Sequence, residues 1–303
     1  MAQWLMTFNA ASAESPEDST TQLKAGNHQL SLICDGVKRT YYLHVPTTYN
    51  PDHAVPLVLN FHGNGSSGLQ QSWLTGMNKL ADQNDFIVVY PDGLMRHWND
   101  GRPAMVKLFD DMAFVRQLIK TLSSQFHIDS KRIYATGMSN GAFLSQALAL
   151  EMPDTFAACA MVCSVLPKDR LSQTGGQPIP VIYFLGTKDP IVPFAGGQIS
   201  KRPACPLASA SETIEFWVHH NKCGTTPAKT TVSTNDNGPC LVTRDIYSAQ
   251  AKRDDVIYYQ VDGGGHTWPG GPQFAPVFIV GVACQSVNAS DEIWKFFSTH
   301  PKD

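Results

Sequence analysis

The chain has 303 residues, 43% hydrophobic and 16% charged, with a formal net charge of −3. That is enough apolar sequence for one large core, and it excludes a wholly disordered chain. Acidic and basic residues are interspersed, which argues against a nucleic-acid partner and against a charged membrane-surface tail.

At the N-terminus, Trp4-Leu5-Met6-Thr7-Phe8 is a short apolar run followed by Ala11-Ser12-Ala13, the small-x-small pattern of an export cleavage site. No Lys or Arg precedes the run, so residues 1–26 read as a truncated signal or as a plain flexible leader. Residues 40–45 alternate like an exposed strand. Val55–Phe61 is a nearly continuous apolar run, which suits a strand buried on both faces of a parallel sheet. It ends in the polar turn His62-Gly63-Asn64-Gly65. A helix over 73–84, a buried strand over 86–90 and a loop over 95–108 follow. Asp110 or Asp111 caps a helix over 112–126, whose Phe114, Val115, Leu118, Ile119 and Leu122 recur at helical spacing. Strands are then expected over 132–136, 181–185 and 256–261, and helices over 142–151, 211–221 and from 291. No apolar stretch reaches the roughly 20 residues of a spanning helix, so no stable membrane insertion is expected.

Strand and helix alternate as in a mostly parallel, doubly wound α/β sheet with helices on both faces. No repeat or linker interrupts it, so residues 27–303 read as one catalytic domain. In such sheets the functional loops lie at the carboxyl ends of strands. The seven cysteines make no C-x-x-C pair and no zinc-like spacing with His, so neither metal nor cofactor is expected. Cys159 and Cys163 lie in an apolar segment as buried thiols. Cys205, Cys223, Cys240 and Cys284 lie in the loop-rich last third, where disulfides would fit an exported protein. Of their possible pairings, Cys205 with Cys284 and Cys223 with Cys240 is the one preferred.

Gly137-Met138-Ser139-Asn140-Gly141 matches G-x-S-x-G between an expected strand and an expected helix, the context a nucleophile elbow requires. Serine needs a base to take its proton. Of ten histidines, His266 follows the strand 256–261 inside Gly263-Gly264-Gly265-His266-Thr267-Trp268-Pro269-Gly270, where three glycines suggest a mobile, uncrowded backbone. Asp189, after the strand 181–185, is the acid that fixes the imidazole tautomer. Asp262 is too close in sequence to His266, and Asp291 suits a helix cap. The chain order Ser, Asp, His is that of a serine hydrolase with an α/β sheet. Oxyanion donors are expected at the N–H groups of Asn140 and Asn64, with Gly65 next. Trp268 and Trp98 are candidate substrate-stacking residues. His62 is read as a loop brace bordering the substrate, and His97 as a further candidate contact.

The motifs together resemble the polyhydroxybutyrate depolymerase and feruloyl or acetylxylan esterase family of α/β-hydrolases. The matching residues are Phe61-His62-Gly63-Asn64-Gly65, Tyr90-Pro91-Asp92-Gly93 with Trp98-Asn99, Asp110-Asp111, the elbow, Gly186-Thr187-Lys188-Asp189, and Gly264-Gly265-His266-Thr267-Trp268-Pro269-Gly270. The resemblance implies a secreted or periplasmic, metal-free serine esterase whose triad falls on Ser139, Asp189 and His266. Its substrates would be small or polymeric esters: feruloyl or acetyl groups on carbohydrate, or short hydroxyalkanoate polyesters. A serine peptidase of the same fold and a silent, hydrolase-like binding protein are the alternatives. Two stretches depart from the family pattern: 198–211 looks inserted, and 274–284 is unusually apolar.

Overall fold

A computed structural model describes residues 23–102, 109–173, 175–199, 205–233, 240–249 and 255–303. The expected leader lies mostly outside these residues, as do Lys201 and Arg202 of the insertion. Strands β1 (Gly26–Cys34) and β2 (Val37–Val45) form an antiparallel hairpin. Asp35 and Gly36 join them, both at positive φ, the geometry an Asp-Gly hairpin turn supplies. Next come β3 (Val55–Phe61), α1 (Gly68–Thr75), α2 (Met77–Asn84), β4 (Ile87–Pro91), α3 (Asp111–Gln125), β5 (Ile128–Met138), α4 (Asn140–Glu151) and β6 (Ala158–Val162). After β7 (Val181–Gly186), the two-residue strands β8 (Gly197–Gln198) and β9 (Pro206–Leu207) pair with each other. The chain continues through α5 (Ala210–His220), β10 (Ala228–Ser233), β11 (Leu241–Tyr247), β12 (Val256–Asp262), α6 (Val277–Val280) and α7 (Ala289–Thr299).

Ten of the strands form one sheet in the order β1-β2-β4-β3-β5-β6-β7-β12-β11-β10. The middle run from β4 to β12 is parallel, and the outer strands are antiparallel. Side chains alternate between two apolar layers. Leu57, Leu59 and Phe61 of β3 join Phe114, Phe143 and Trp217 on one face, whereas Val58 joins Leu74, Met77 and Phe297 on the other. Fully burying each such side chain contributes about 1.5–3 kcal/mol relative to exposure.

Several boundaries differ from expectation for local reasons. The helix expected over 73–84 is two helices, because Gly76 at φ 62° ends α1 and opens α2. Asp110 is the cap of α3, its carboxylate accepting from the Ala113 N–H at 2.9 Å. Asp111 instead pairs with Arg39 at 2.6 Å, and both side chains are buried. Burial raises the Asp111 carboxyl pKa while the Arg39 charge opposes that rise.

Among the described residues the expected Cys205–Cys284 disulfide is not formed, and Cys240 lies against Cys284 rather than in the expected bond to Cys223. Cys223 bridges to Ala249 through its backbone. No described helix is long and apolar enough to cross a membrane.

Candidate active site

The carboxyl ends of β3, β5, β6, β7 and β12 converge on one cleft. Strand β5 delivers Ser139 into a turn at φ 54°, ψ −120°, just before α4. A non-glycine residue there is strained, and such strain collects at functional turns. The turn is possible because its flanks are glycine. A Cβ at Gly137 would stand 2.7 Å from the Phe61 carbonyl oxygen, and one at Gly141 would collide with the same atom. The Ser139 N–H donates to the Val162 carbonyl at 2.9 Å, which pins the elbow to β6.

Strands β7 and β12 are parallel neighbours, so their following loops meet although 77 residues separate Asp189 and His266. His266 Nδ1 and Asp189 Oδ2 are 2.7 Å apart, with both side chains nearly sealed from solvent. The other carboxylate oxygen of Asp189 accepts from the N–H groups of Ile191 and Val192, each at 2.8 Å. The imidazole therefore holds its proton on Nδ1 and leaves Nε2 as an acceptor. The glycines before His266 are not a mobile segment, as the sequence suggested. A Cβ at Gly186 or at Gly265 would collide with the Gly264 or Val280 carbonyl oxygen, respectively. They are small because the two loops pack backbone against backbone.

Ser139 and His266 line a cavity of about 430 Å³ together with Gly63, Asn64 and Gly65. Of the expected oxyanion donors, the Gly65 N–H is spent on the Arg96 carbonyl at 2.7 Å. No hydrogen bond from the Asn64 or Asn140 N–H occurs among the described residues. Asn140 opens α4, where backbone N–H groups lack intrahelical partners. Its side chain clamps the long loop, accepting from the Trp98 N–H at 2.7 Å and donating to Asp100 at 2.7 Å.

The three expected substrate contacts are structural. Trp98 is 0% exposed, and its indole N–H donates to the His62 carbonyl at 2.9 Å. Trp268 is likewise 0% exposed, with its N–H on Ser290 Oγ at 3.0 Å. His62 is fully buried; its Nδ1–H donates to the Gly63 carbonyl at 2.7 Å and its Nε2 accepts from the Gly93 N–H at 2.9 Å. Burial lowers the His62 pKa, which suits a neutral brace. His97 bonds to the Met95 carbonyl at 3.4 Å and does not line the cavity. The cavity wall is completed instead by residues that include Gln70, Trp73, Leu74, Ile191, Phe274 and Val280. Phe274 and Val280 lie in the apolar stretch already noted, whereas nothing in the local pattern marked Trp73.

A ten-stranded, largely parallel sheet with a strained serine elbow and an Asp–His pair on later strands defines an α/β-hydrolase. Its fold matches the solved acetyl xylan esterase from Aspergillus awamori with a TM-score of 0.63 at 15% identity, over 91% of this chain and 100% of that one. The family model described as esterase PHB depolymerase matches residues 39–175. The chain is 28% identical over 273 residues to NocK of Nocardia uniformis subsp. tsuyamanensis, an esterase by name, covering 86% of this chain and 79% of that protein. It is 30% identical over 234 residues to feruloyl esterase B of Piromyces equi, covering 73% of this chain and 41% of that longer protein. By these matches the chain is similar to members of the polyhydroxybutyrate depolymerase and feruloyl esterase family.

Proposed function

We propose that the protein is a serine carboxylic-ester hydrolase working through an acyl-enzyme. The observation that carries this reading is the 2.7 Å His266–Asp189 bond in a loop that shares its cavity with the elbow serine. His266 Nε2 takes the Ser139 proton as Oγ attacks the ester carbonyl. The Asn140 and Asn64 N–H groups receive the oxyanion, a contribution of about 2.7–4 kcal/mol per donor. The imidazolium returns its proton to the departing alcohol. Water, activated by the same ring, then releases the acid.

The names of the relatives support esters of feruloyl or acetyl type on carbohydrate, and the family description supports hydroxyalkanoate polyesters. The same reading takes residues 27–303 as one catalytic domain of a secreted or periplasmic enzyme, supported by the export-like pattern near Ala13. The test is stoichiometric labelling by an organophosphonate, with loss of p-nitrophenyl acetate hydrolysis. Ser139→Ala is expected to abolish both. Labelling that survives that substitution removes Ser139 from the mechanism.

A further inference from the structure

Strand β6 ends at Val162, and the chain turns at Cys163 with φ +58°, a conformation side-chain-bearing residues rarely adopt. Such an outlier persists where surrounding interactions hold it. Here the Cys163 N–H donates to the Phe184 carbonyl at 3.0 Å, and the thiol is buried. Its Sγ lies 3.2 Å from the Thr267 carbonyl oxygen and 3.9 Å from that of Gly265, the residues on either side of His266. Ligand-type atoms of Cys163, Asp189 and His266 all lie within 4.8 Å of one another. The residue before it holds the Ser139 N–H at 2.9 Å. One turn of chain thus touches the supports of all three proposed triad members.

We propose that Cys163 is a positioning residue whose thiol, set between the Gly265 and Thr267 carbonyls, holds the His266 imidazole against Asp189. The inference rests on the reading of His266 as general base. Burial, and then the nearby Asp189 charge, push the thiol pKa well up, so it serves as a neutral S–H donor. Without that donor, the Thr267 carbonyl loses a buried partner, and the peptide that follows Thr267, one residue beyond His266, is free to tilt. The Thr267 hydroxyl still donates to the Val282 carbonyl at 3.1 Å, so the loop itself stays in place. The loss is one of ring orientation, and a small misplacement of a reacting group can cost as much as about 100-fold in rate.

The informative variants are Cys163→Gly and Cys163→Ala, with Cys163→Ser as the conservative rescue. Glycine accepts φ +58° without strain, so the Gly variant is expected to fold. Expected is a fall in kcat toward p-nitrophenyl acetate of about tenfold or more, with KM unchanged, in the Gly and Ala variants. The far-downfield NMR resonance of the His266 Nδ1 proton should shift or broaden with it. Serine, which keeps a donor, should restore both. A folded Gly variant with wild-type kcat and an unmoved resonance overturns the proposal, as does a Ser variant as slow as the Gly one. Ser139→Ala run alongside separates the two readings. If it stays active, the hydrolase mechanism fails; if it is inactive while Cys163→Gly is fully active, only the positioning role fails.

Discussion

Asp189→Asn is nearly isosteric, and its consequence follows from the bonds around the carboxylate. One oxygen accepts from both the Ile191 and Val192 N–H groups, at 2.8 Å each, and the other accepts from His266 Nδ1 at 2.7 Å. An asparagine can place its oxygen on only one side. Turning its NH2 toward the two backbone donors would strand both, at about 1–3 kcal/mol each. The oxygen therefore stays with Ile191 and Val192, and the NH2 faces Nδ1. His266 must then carry its proton on Nε2, where it has no lone pair for the Ser139 hydroxyl. The same change in a serine triad lowers kcat by about 10⁴, equivalent to a barrier about 5 kcal/mol higher. The assay is kcat for p-nitrophenyl acetate at neutral pH, with thermal unfolding to show that the fold is kept. A folded variant that loses less than about 100-fold would refute the argument that Asp189 dictates the tautomer.

Trp268→Phe removes the N–H that engages Ser290 Oγ, a hydroxyl that itself donates to the Thr75 carbonyl at 2.6 Å. Urea unfolding should show a loss of about 1–3 kcal/mol, with KM for small esters unchanged; a raised KM at full stability would restore Trp268 as a substrate contact. Arg39→Ala leaves the Asp111 carboxylate buried without its partner and should cost about 3–5 kcal/mol in the same assay. His62 has a native pKa below its ordinary 6.5, so the folded state binds fewer protons than the unfolded one just below that value. Its contribution is complete above pH 6.5 and is lost as pH falls through the window below it. Stability should decline as pH falls below about 6.5, and His62→Gln should flatten that decline; an equal slope in both proteins would count against the buried, neutral assignment.

The parallel centre of the sheet was legible because its strands are continuous apolar runs ending in turn formers. The meeting of Ser139, Asp189 and His266 at one cleft was legible because each occupies the first loop after such a run. Strand β6 was not foreseen. Ala158, Cys159, Ala160 and Met161 have no strong β-formers and no alternation, yet all are buried between β5 and β7. Its strand character comes from neighbours distant in sequence. The hairpin β1–β2 and the antiparallel pair β10–β11 were partly or wholly missed, because Gly26–Cys34 and Ala228–Ser233 carry many polar residues. Tryptophan in a motif loop suggested stacking on a ligand. Only the indole N–H partners, His62 and Ser290, show that Trp98 and Trp268 are internal struts. The glycines before His266 were read for freedom when their purpose is closeness, a distinction that composition alone does not carry.

The short helix α6 bears Val277, Phe278 and Ile279 on the surface, Phe278 at 87% exposure, and its last residue, Val280, accepts the backbone N–H of His266. Val280 also lines the cavity. This join restricts how the enzyme's range of substrates can diverge. Lengthening or shortening the rim here would unseat the residue proposed as the base, so indels in this stretch carry a penalty in rate whatever they do for recognition. Substitutions at 277–279 carry no such linkage. For both natural drift and laboratory redesign, the safe vocabulary at this rim is side-chain replacement on a fixed backbone, and libraries that vary loop length belong elsewhere on the molecule.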